Sequence, residues 1–302
     1  MSKQQGKDTK ATVTKSNPQS GIKAFLKEGG IIIGAFLLLN SFVLASFEVP
    51  TGSMENEIMT GDFLLVNKFV FGGTTPRTIP FTNVRIPAFK FPAPFSVARG
   101  DVIVFIFPGN RDEVEPAEFA YYLKRCIALG GDTIQVINRV VYVNGRPAPV
   151  PRNVKFNSTL IKPVGFADPR IFPKGSPYNE DNYGPIVVPK KGDRIALTPA
   201  TIDQWDIFIR REGHQSVKIE NNKVYIDGKE QQEYIVERDY VFGMGDNRDN
   251  SLDSRFWGFI PKDAVVGTPV IVYWSWDPES SIFDFAGKIA TVRWTRFGTL
   301  VR

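Results

Sequence analysis

Ser53 stands between Gly52 and Met54 in the stretch FEVPTGSMENEI, residues 47–58. A serine hydroxyl becomes a nucleophile only with a base to take its proton, and a serine after glycine is more often a turn residue. The chain has one histidine, His214, in the polar stretch RREGHQS, a setting that suits a solvated loop. Without imidazole, the remaining common base is a lysine held neutral. Free lysine titrates near ~10.4, so fewer than about one in 10³ is neutral at pH 7. A depression of roughly two to three units is needed, and burial supplies it. Lys124 is the candidate, flanked by Tyr121, Tyr122, Leu123, Cys126 and Ile127 in FAYYLKRCIALGGD, residues 119–132. On spacing alone it also reads as a surface lysine laid along apolar neighbours. Cys126 reads as a small buried apolar residue. A third stretch, FGMGDNRDNSLDSRFWGFIP at 242–261, is dense in Asp, Asn, Ser and Arg. Asp246, Asn247, Asp249 and Asn250 could suggest a calcium loop, but no Glu stands at its twelfth position. A side-chain network holding a catalytic loop fits better.

These residues need a framework, and 302 residues supply enough chain for one large or two modest domains. Hydrophobic residues at 42% and charged residues at 23% are ordinary globular values and argue against wholesale disorder and a polytopic membrane protein. One Cys excludes an intrachain disulfide and a CxxC motif, and one His excludes zinc sites with two imidazoles. The net charge of +5 is local: residues 1–28 carry six lysines against Asp8 and Glu28. The rest of the chain is nearly neutral, which does not indicate a nucleic-acid surface. Residues 1–20 are polar and read as a disordered tail. From Gly29 to Phe47 runs GGIIIGAFLLLNSFVLASF, without a charge. As a helix it covers roughly 28 Å, close to the ~30 Å hydrocarbon thickness. The lysines before it place the N-terminus in the cytoplasm and residues 48–302 outside. A buried soluble helix and a leader cleaved after Ala45 are the competing readings.

The body reads as β, from short apolar or alternating runs at Phe63–Val66, Val102–Phe107, Val140–Val143, Arg194–Leu197, Lys223–Ile226 and Val270–Trp276. Only residues 200–212 suggest a helix, with Ile202, Trp205 and Ile209 at helical spacing. NRVVYVNGR at 138–146 and NNKVYIDGK at 221–229 echo each other, and each ends in a hairpin dipeptide, Asn-Gly or Asp-Gly. Either a duplicated hairpin or two unrelated hairpins with the same turn chemistry would give that echo. Residues 151–190, rich in Pro, Gly and Asn, read as an irregular insertion. The stretch 72–99 interleaves five prolines with Phe81, Phe89, Phe91 and Phe95. It either dips into a lipid interface or covers a sheet face.

Taken together, these stretches resemble the bacterial type I signal peptidases (leader peptidases), a family of membrane-anchored Ser/Lys serine proteases. PTGSMENEIMTGDFLLVNKFVFG (50–72) resembles the nucleophile segment, RGDVIVF (99–105) with YYLKRCIALGGD (121–132) the base segment, and GDNRDNSLDSRFWGFIP (245–261) the most specific motif. The resemblance implies a mainly β fold, an antiparallel-sheet catalytic body at 48–145 and 240–302. It also implies a second domain inserted at 146–239, one N-terminal transmembrane helix at 29–47 and a basic tail at 1–28. Ser53 would be the nucleophile and Lys124 the general base, with Ser251 orienting the lysine. The oxyanion would be held by the Ser53 N–H and Thr51. Asp253 and Arg255 match a structural ion pair beneath the site, and Arg125 would brace the loop carrying Asp246. Phe47, Val49, Pro50, Met54, Tyr122 and Leu123 match positions that line the pockets for small substrate side chains. The implied activity is removal of signal peptides from exported preproteins, after small residues at −1 and −3, at the bacterial cytoplasmic membrane. Lipid and the export translocon would be the neighbours, and no cofactor, metal or nucleic acid is implied. The alternative is a membrane-anchored β domain that binds extended peptides or envelope polymers without cleaving them. A self-cleaving repressor-type Ser/Lys protease is a closer rival, disfavoured by the span and by the lack of a DNA-binding region.

Overall fold

The computed structural model describes Lys23, residues 25–32, 34–35, 43–75, 87, 89–281 and 283–302. The tail expected at 1–20 lies outside them, as do 33 and 36–42 of the expected span. Residues up to Asn40 form one unit, helical at 25–32 and 34–35; Ser41–Arg302 forms the other. No helix among the described residues is long and apolar enough to cross a membrane.

The body is built on an antiparallel sheet of eight strands. They are β1 (Leu44–Glu48), β2 (Asp62–Asn67), β3 (Val102–Ile106), β4 (Tyr121–Leu129), β14 (Tyr240–Met244), β15 (Ile260–Pro261), β16 (Val265–Ser275) and β17 (Thr299–Leu300). Their order is β1-β2-β16-β3-β4-β14-β15, with β17 on β16. The expected span thus runs too far. Leu44–Phe47 belong to β1, where Leu44 faces Asn67 and Glu48 faces Phe63 across β2. An uncharged run satisfies a strand as well as a helix. Here the backbone is paired by β2, Phe47 packs edge-on against Tyr121 at 5.0 Å, and the Ser46 and Tyr273 hydroxyls lie 2.6 Å apart.

β2 shows why these residues make a sheet: Asp62, Leu64 and Val66 are buried and their neighbours half-buried, the period of two that a pleated strand imposes. Leu64 and Val66 join Val49, Met54, Ile58, Val102, Val104 and Val272 in one core cluster. A second cluster gathers Ile103, Phe105, Phe107, Cys126, Trp257 and Ile260 on another side of β3 and β4.

Between β4 and β14 the chain makes three small antiparallel sheets. β5 (Thr133–Ile137), β6 (Val140–Val143), β7 (Arg146–Pro147) and β8 (Tyr183–Val187) form one, in the order β7-β6-β5-β8. β9 (Arg194–Ala196) pairs with β13 (Glu233–Ile235), and β10 (Val217–Glu220), β11 (Lys223–Ile226) and β12 (Lys229–Glu230) form a meander. The echoing sequences each span two tight turns. Asn138-Arg139 and Asn144-Gly145 bracket β6, and Asn221-Asn222 and Asp227-Gly228 bracket β11, with φ positive at all eight positions. That conformation is what a two-residue hairpin demands, and Asn, Asp and Gly adopt it at least cost. The helical expectation at 200–212 is met by a 3₁₀ turn at Ile202–Gln204 and an α-helix at Asp206–Arg211. A shared core of Ile134, Tyr183, Phe208, Tyr234, Phe242 and Phe259 seats these elements on β14.

Candidate active site

Ser53 and Lys124 meet although 71 residues separate them: Lys124 Nζ lies 2.7 Å from Ser53 Oγ. Nζ also donates to the Leu123 carbonyl at 2.9 Å. Lys124 is only 3% exposed and Ser53 8%, so bulk water reaches neither freely. The lysine sits in the middle of β4, between β3 and β14, opposite Ile103. Strand alternation puts Tyr122, Lys124 and Cys126 on one face. Tyr122 stacks on Phe107 with centroids 4.2 Å apart, and the Tyr122 and Trp257 rings lie 5.7 and 5.9 Å from Nζ. Burial among them strips the ammonium of hydration and pulls its pKa down to about 8; Asp253 and Asp246 oppose the shift and Arg255 adds to it. The same loss of solvent pushes the Cys126 thiol up to about 12, which leaves it no thiolate with which to compete.

The serine is held by a loop from the other end of the sequence. Asn247 donates its backbone N–H to Ser53 O and its side-chain amide to Gly52 O, both at 3.1 Å. Gly245 makes the approach possible: a Cβ there would stand 2.5 Å from Ser53 O and 2.2 Å from Ser251 Oγ. Met54 is buried in the core and its carbonyl accepts from Ile58 N at 2.9 Å, closing the turn behind the serine. Two buried ion pairs brace the loop. Arg125 grips Asp246 through Nε at 2.9 Å and Nη2 at 2.6 Å. Arg255 grips Asp253 at 2.9 and 2.7 Å, and Asp253 also accepts from Gly245 N at 3.1 Å.

A cleft of about 580 Å³ opens over the pair. Phe47, Val49, Pro50, Met54, Tyr122 and Leu123 line it together with Thr51, Ser53, Lys124 and Ser251. Thr51 is exposed, and neither its hydroxyl nor the Ser53 N–H makes a hydrogen bond among the described residues. Arg125, Asp246, Asp253 and Arg255 do not line the cleft. Ser251 Oγ differs from its expected part: it is buried and makes no hydrogen bond to Lys124 or to any other described group. His214 is elsewhere, with Nδ1 2.8 Å from Asp227 Oδ2 and Nε2 3.4 Å from Glu237. The arrangement sets a lysine nitrogen whose proton is loosened by burial against a hydroxyl, with free donors beside it, which suits acyl transfer.

The profile of the family described as signal peptidase, peptidase S26, matches residues 22–274. The chain belongs to this family. Signal peptidase I of Buchnera aphidicola (subsp. Schizaphis graminum) is 32% identical over 254 residues, covering 81% of this chain and 72% of that protein. Signal peptidase I of Helicobacter pylori is 30% identical, over 89% of this chain and 88% of its own. That of Aquifex aeolicus is 27% identical, over 87% and 88%. Membership of the peptidase S26 family makes the protein a serine endopeptidase. Gly245 and Asn247 are the site residues that sequence reasoning left without a role. Their signal was present, an Asn and a Gly inside a dense polar motif, but only the tertiary approach to Ser53 gives it meaning.

Proposed function

We propose that the protein removes signal peptides from exported preproteins by acyl transfer, with Ser53 as nucleophile and Lys124 as general base. The observation that carries this reading is the 2.7 Å contact between Ser53 Oγ and a lysine nitrogen buried enough to titrate near 8. Neutral Lys124 takes the Ser53 proton as Oγ attacks the substrate carbonyl. The Ser53 N–H and the Thr51 hydroxyl, both unused within the described residues, hold the oxyanion. Lys124 then gives its proton to the leaving amine and activates the water that hydrolyses the ester. A neutral amine has two N–H groups, of which Leu123 O takes one. Ser251 Oγ, buried beside the site without a partner, takes the other as the base settles into its working orientation. Val49, Met54, Tyr122 and Leu123 bound the pockets that admit only small residues at −1 and −3.

The polypeptide is placed at the bacterial cytoplasmic membrane by its own sequence. The uncharged run from Gly29 up to β1, roughly 22 Å as a helix against the ~30 Å hydrocarbon thickness, forms the centre of the anchor, with the lysine-rich tail cytoplasmic and the body outside. Residues 48–132 and 240–302 carry the catalytic unit, and the inserted second domain begins at β5 rather than at 146, because β5 and β6 share a sheet with β7 and β8. Phe89, Phe91 and Phe95, all exposed, present aromatic rings suited to a lipid interface, and the translocon is the source of substrate. Cleavage of a model preprotein by the detergent-solubilised chain tests the reading. Ser53→Ala and Lys124→Arg should each abolish it, because guanidinium cannot give up its proton. His214→Ala should cleave normally. An inactive histidine variant beside an active Lys124→Arg would overturn the assignment of the base.

A further inference from the structure

Arg248 lies one residue beyond the Asn247 that clamps the nucleophile's turn, and its side chain lines the cleft. It is 7% exposed, yet its Nε has no hydrogen-bond partner and its guanidinium makes no ion pair among the described residues. A buried polar group without a partner is costly, and more so when charged, so such a group calls for an explanation. Its neighbours supply none. Asp246 is taken by Arg125 and Asp253 by Arg255, each through two hydrogen bonds. Glu180, also on the cleft wall, accepts from Lys162 through Oε1 at 2.6 Å, while its buried Oε2 has no partner among the described residues and makes no ion pair with Arg248. Asp249 gives Oδ2 to the backbone of Asn157 and Ser158 at 2.7 and 2.8 Å. Arg170 is paired with Asp168 at 2.6 Å. Burial penalises the Arg248 charge most, Arg255 and Arg125 oppose it, and Asp253 and Asp246 favour it without pairing with it. Among the described cleft residues outside the Ser53–Lys124 pair, Arg248 is the buried cation without an ion-pair partner.

The cleft wall is divided by chemistry. Strand residues such as Phe47, Leu64, Val104 and Leu123 make an apolar part, and the 248–252 loop with Arg170 and Glu180 makes a polar part. Small apolar residues on the amino side of the cut belong with the first. The chain on the carboxyl side, the start of the mature protein, is left with the second. We infer that Arg248 binds substrate beyond the scissile bond, donating from its guanidinium to a carboxylate within the first few mature residues. This deepens the signal-peptide reading and rests on it. Acidic residues there gain a charge-assisted hydrogen bond, and basic ones meet a buried positive charge.

The test is steady-state cleavage of model preproteins carrying Glu, Gln or Lys at each of +1 to +3, by the full-length enzyme and by Arg248→Gln and Arg248→Lys. With the unaltered enzyme, Glu should beat Gln by about tenfold in kcat/KM at one position at least, the size of one charge-assisted hydrogen bond. Lys should be the poorest, and the difference should sit in KM more than in kcat. Arg248→Gln should erase the order while still cleaving the Gln substrate, and Arg248→Lys should keep part of it. The acidic limb of the pH profile should stay where it is in all three enzymes. Two results overturn the inference. One is an unaltered enzyme indifferent to charge at +1 to +3. The other is an Arg248→Gln variant that loses melting temperature and slows equally on every substrate, which marks a structural arginine. Failure of the unaltered enzyme to cleave any of the preproteins would instead strike the signal-peptide reading itself.

Discussion

Lys124 costs the folded protein stability. Its pKa falls from the 10.5 of free lysine to about 8 because burial penalises the ammonium. Below pH 8 the group is protonated whether folded or unfolded, and the penalty of burying the charge is present in full. Between about 8 and 10.5 the folded form releases its proton first, the unfolded chain holds more protons, and stability rises with pH. The span of about 2.5 units corresponds to roughly 3 kcal/mol. Lys124→Met, which keeps the length of the side chain and drops the charge, should therefore be inactive yet melt higher at pH 7. That advantage should shrink as the pH approaches 10.5. Equal melting temperatures at pH 7 and an unchanged gap at pH 10 would contradict it. At this scale much of the site was legible. With the one histidine in a polar stretch, lysine is the remaining common base, and the lysine of YYLKRCI is indeed buried against Ser53. The Ser251 hydroxyl was less legible, since its orientation depends on a loop packed against Gly245 rather than on its own sequence.

Strands and loops set the precision of the pair. β4 fixes the lysine between two hydrogen-bonded neighbours, whereas the serine sits on a turn that must be clamped from outside by residues 245–247. Gly245→Ala should break that clamp, because the added Cβ meets Ser53 O and Ser251 Oγ far inside contact distance. We expect kcat to fall by about 10²-fold, as misplacement of roughly 1 Å at a reacting group does, with the far-ultraviolet spectrum of the β body retained. Full activity would mean that the 245–247 loop does not position the nucleophile. One turn of each meander could be read directly from Asn-Gly or Asp-Gly. β4 could not, because five successive buried residues hide the two-residue alternation that identifies a half-buried strand. β1 was hidden for a related reason: Leu44–Phe47 close an uncharged run that reads as helix until β2 pairs with it.

The whole molecule brings three sequence-distant segments to one cleft, in a body proposed to lie outside the cytoplasm. Protease added to cells with a permeabilised envelope should digest residues beyond β1 and spare the lysine-rich tail. Recovery of a soluble chain starting at Ser46 would contradict the anchor. Pocket size is a second property of the assembled cleft. Val49 and Met54 come from the nucleophile's segment and Leu123 from β4, so only the folded wall defines it. Leu in place of Ala at −1 of a model preprotein should abolish cleavage, and efficient processing would refute the pocket while leaving the base intact. The most direct test of the account is the pH dependence of kcat/KM for preprotein cleavage, which reports the ionisation of the free enzyme. A base that works only when neutral gives activity rising with pH, and the buried Lys124 places that limb at about 8. A limb near ~6.5 that vanishes in His214→Ala, or one near the ~10.4 of an unburied lysine, would show that Lys124 is not the base this cleft holds ready.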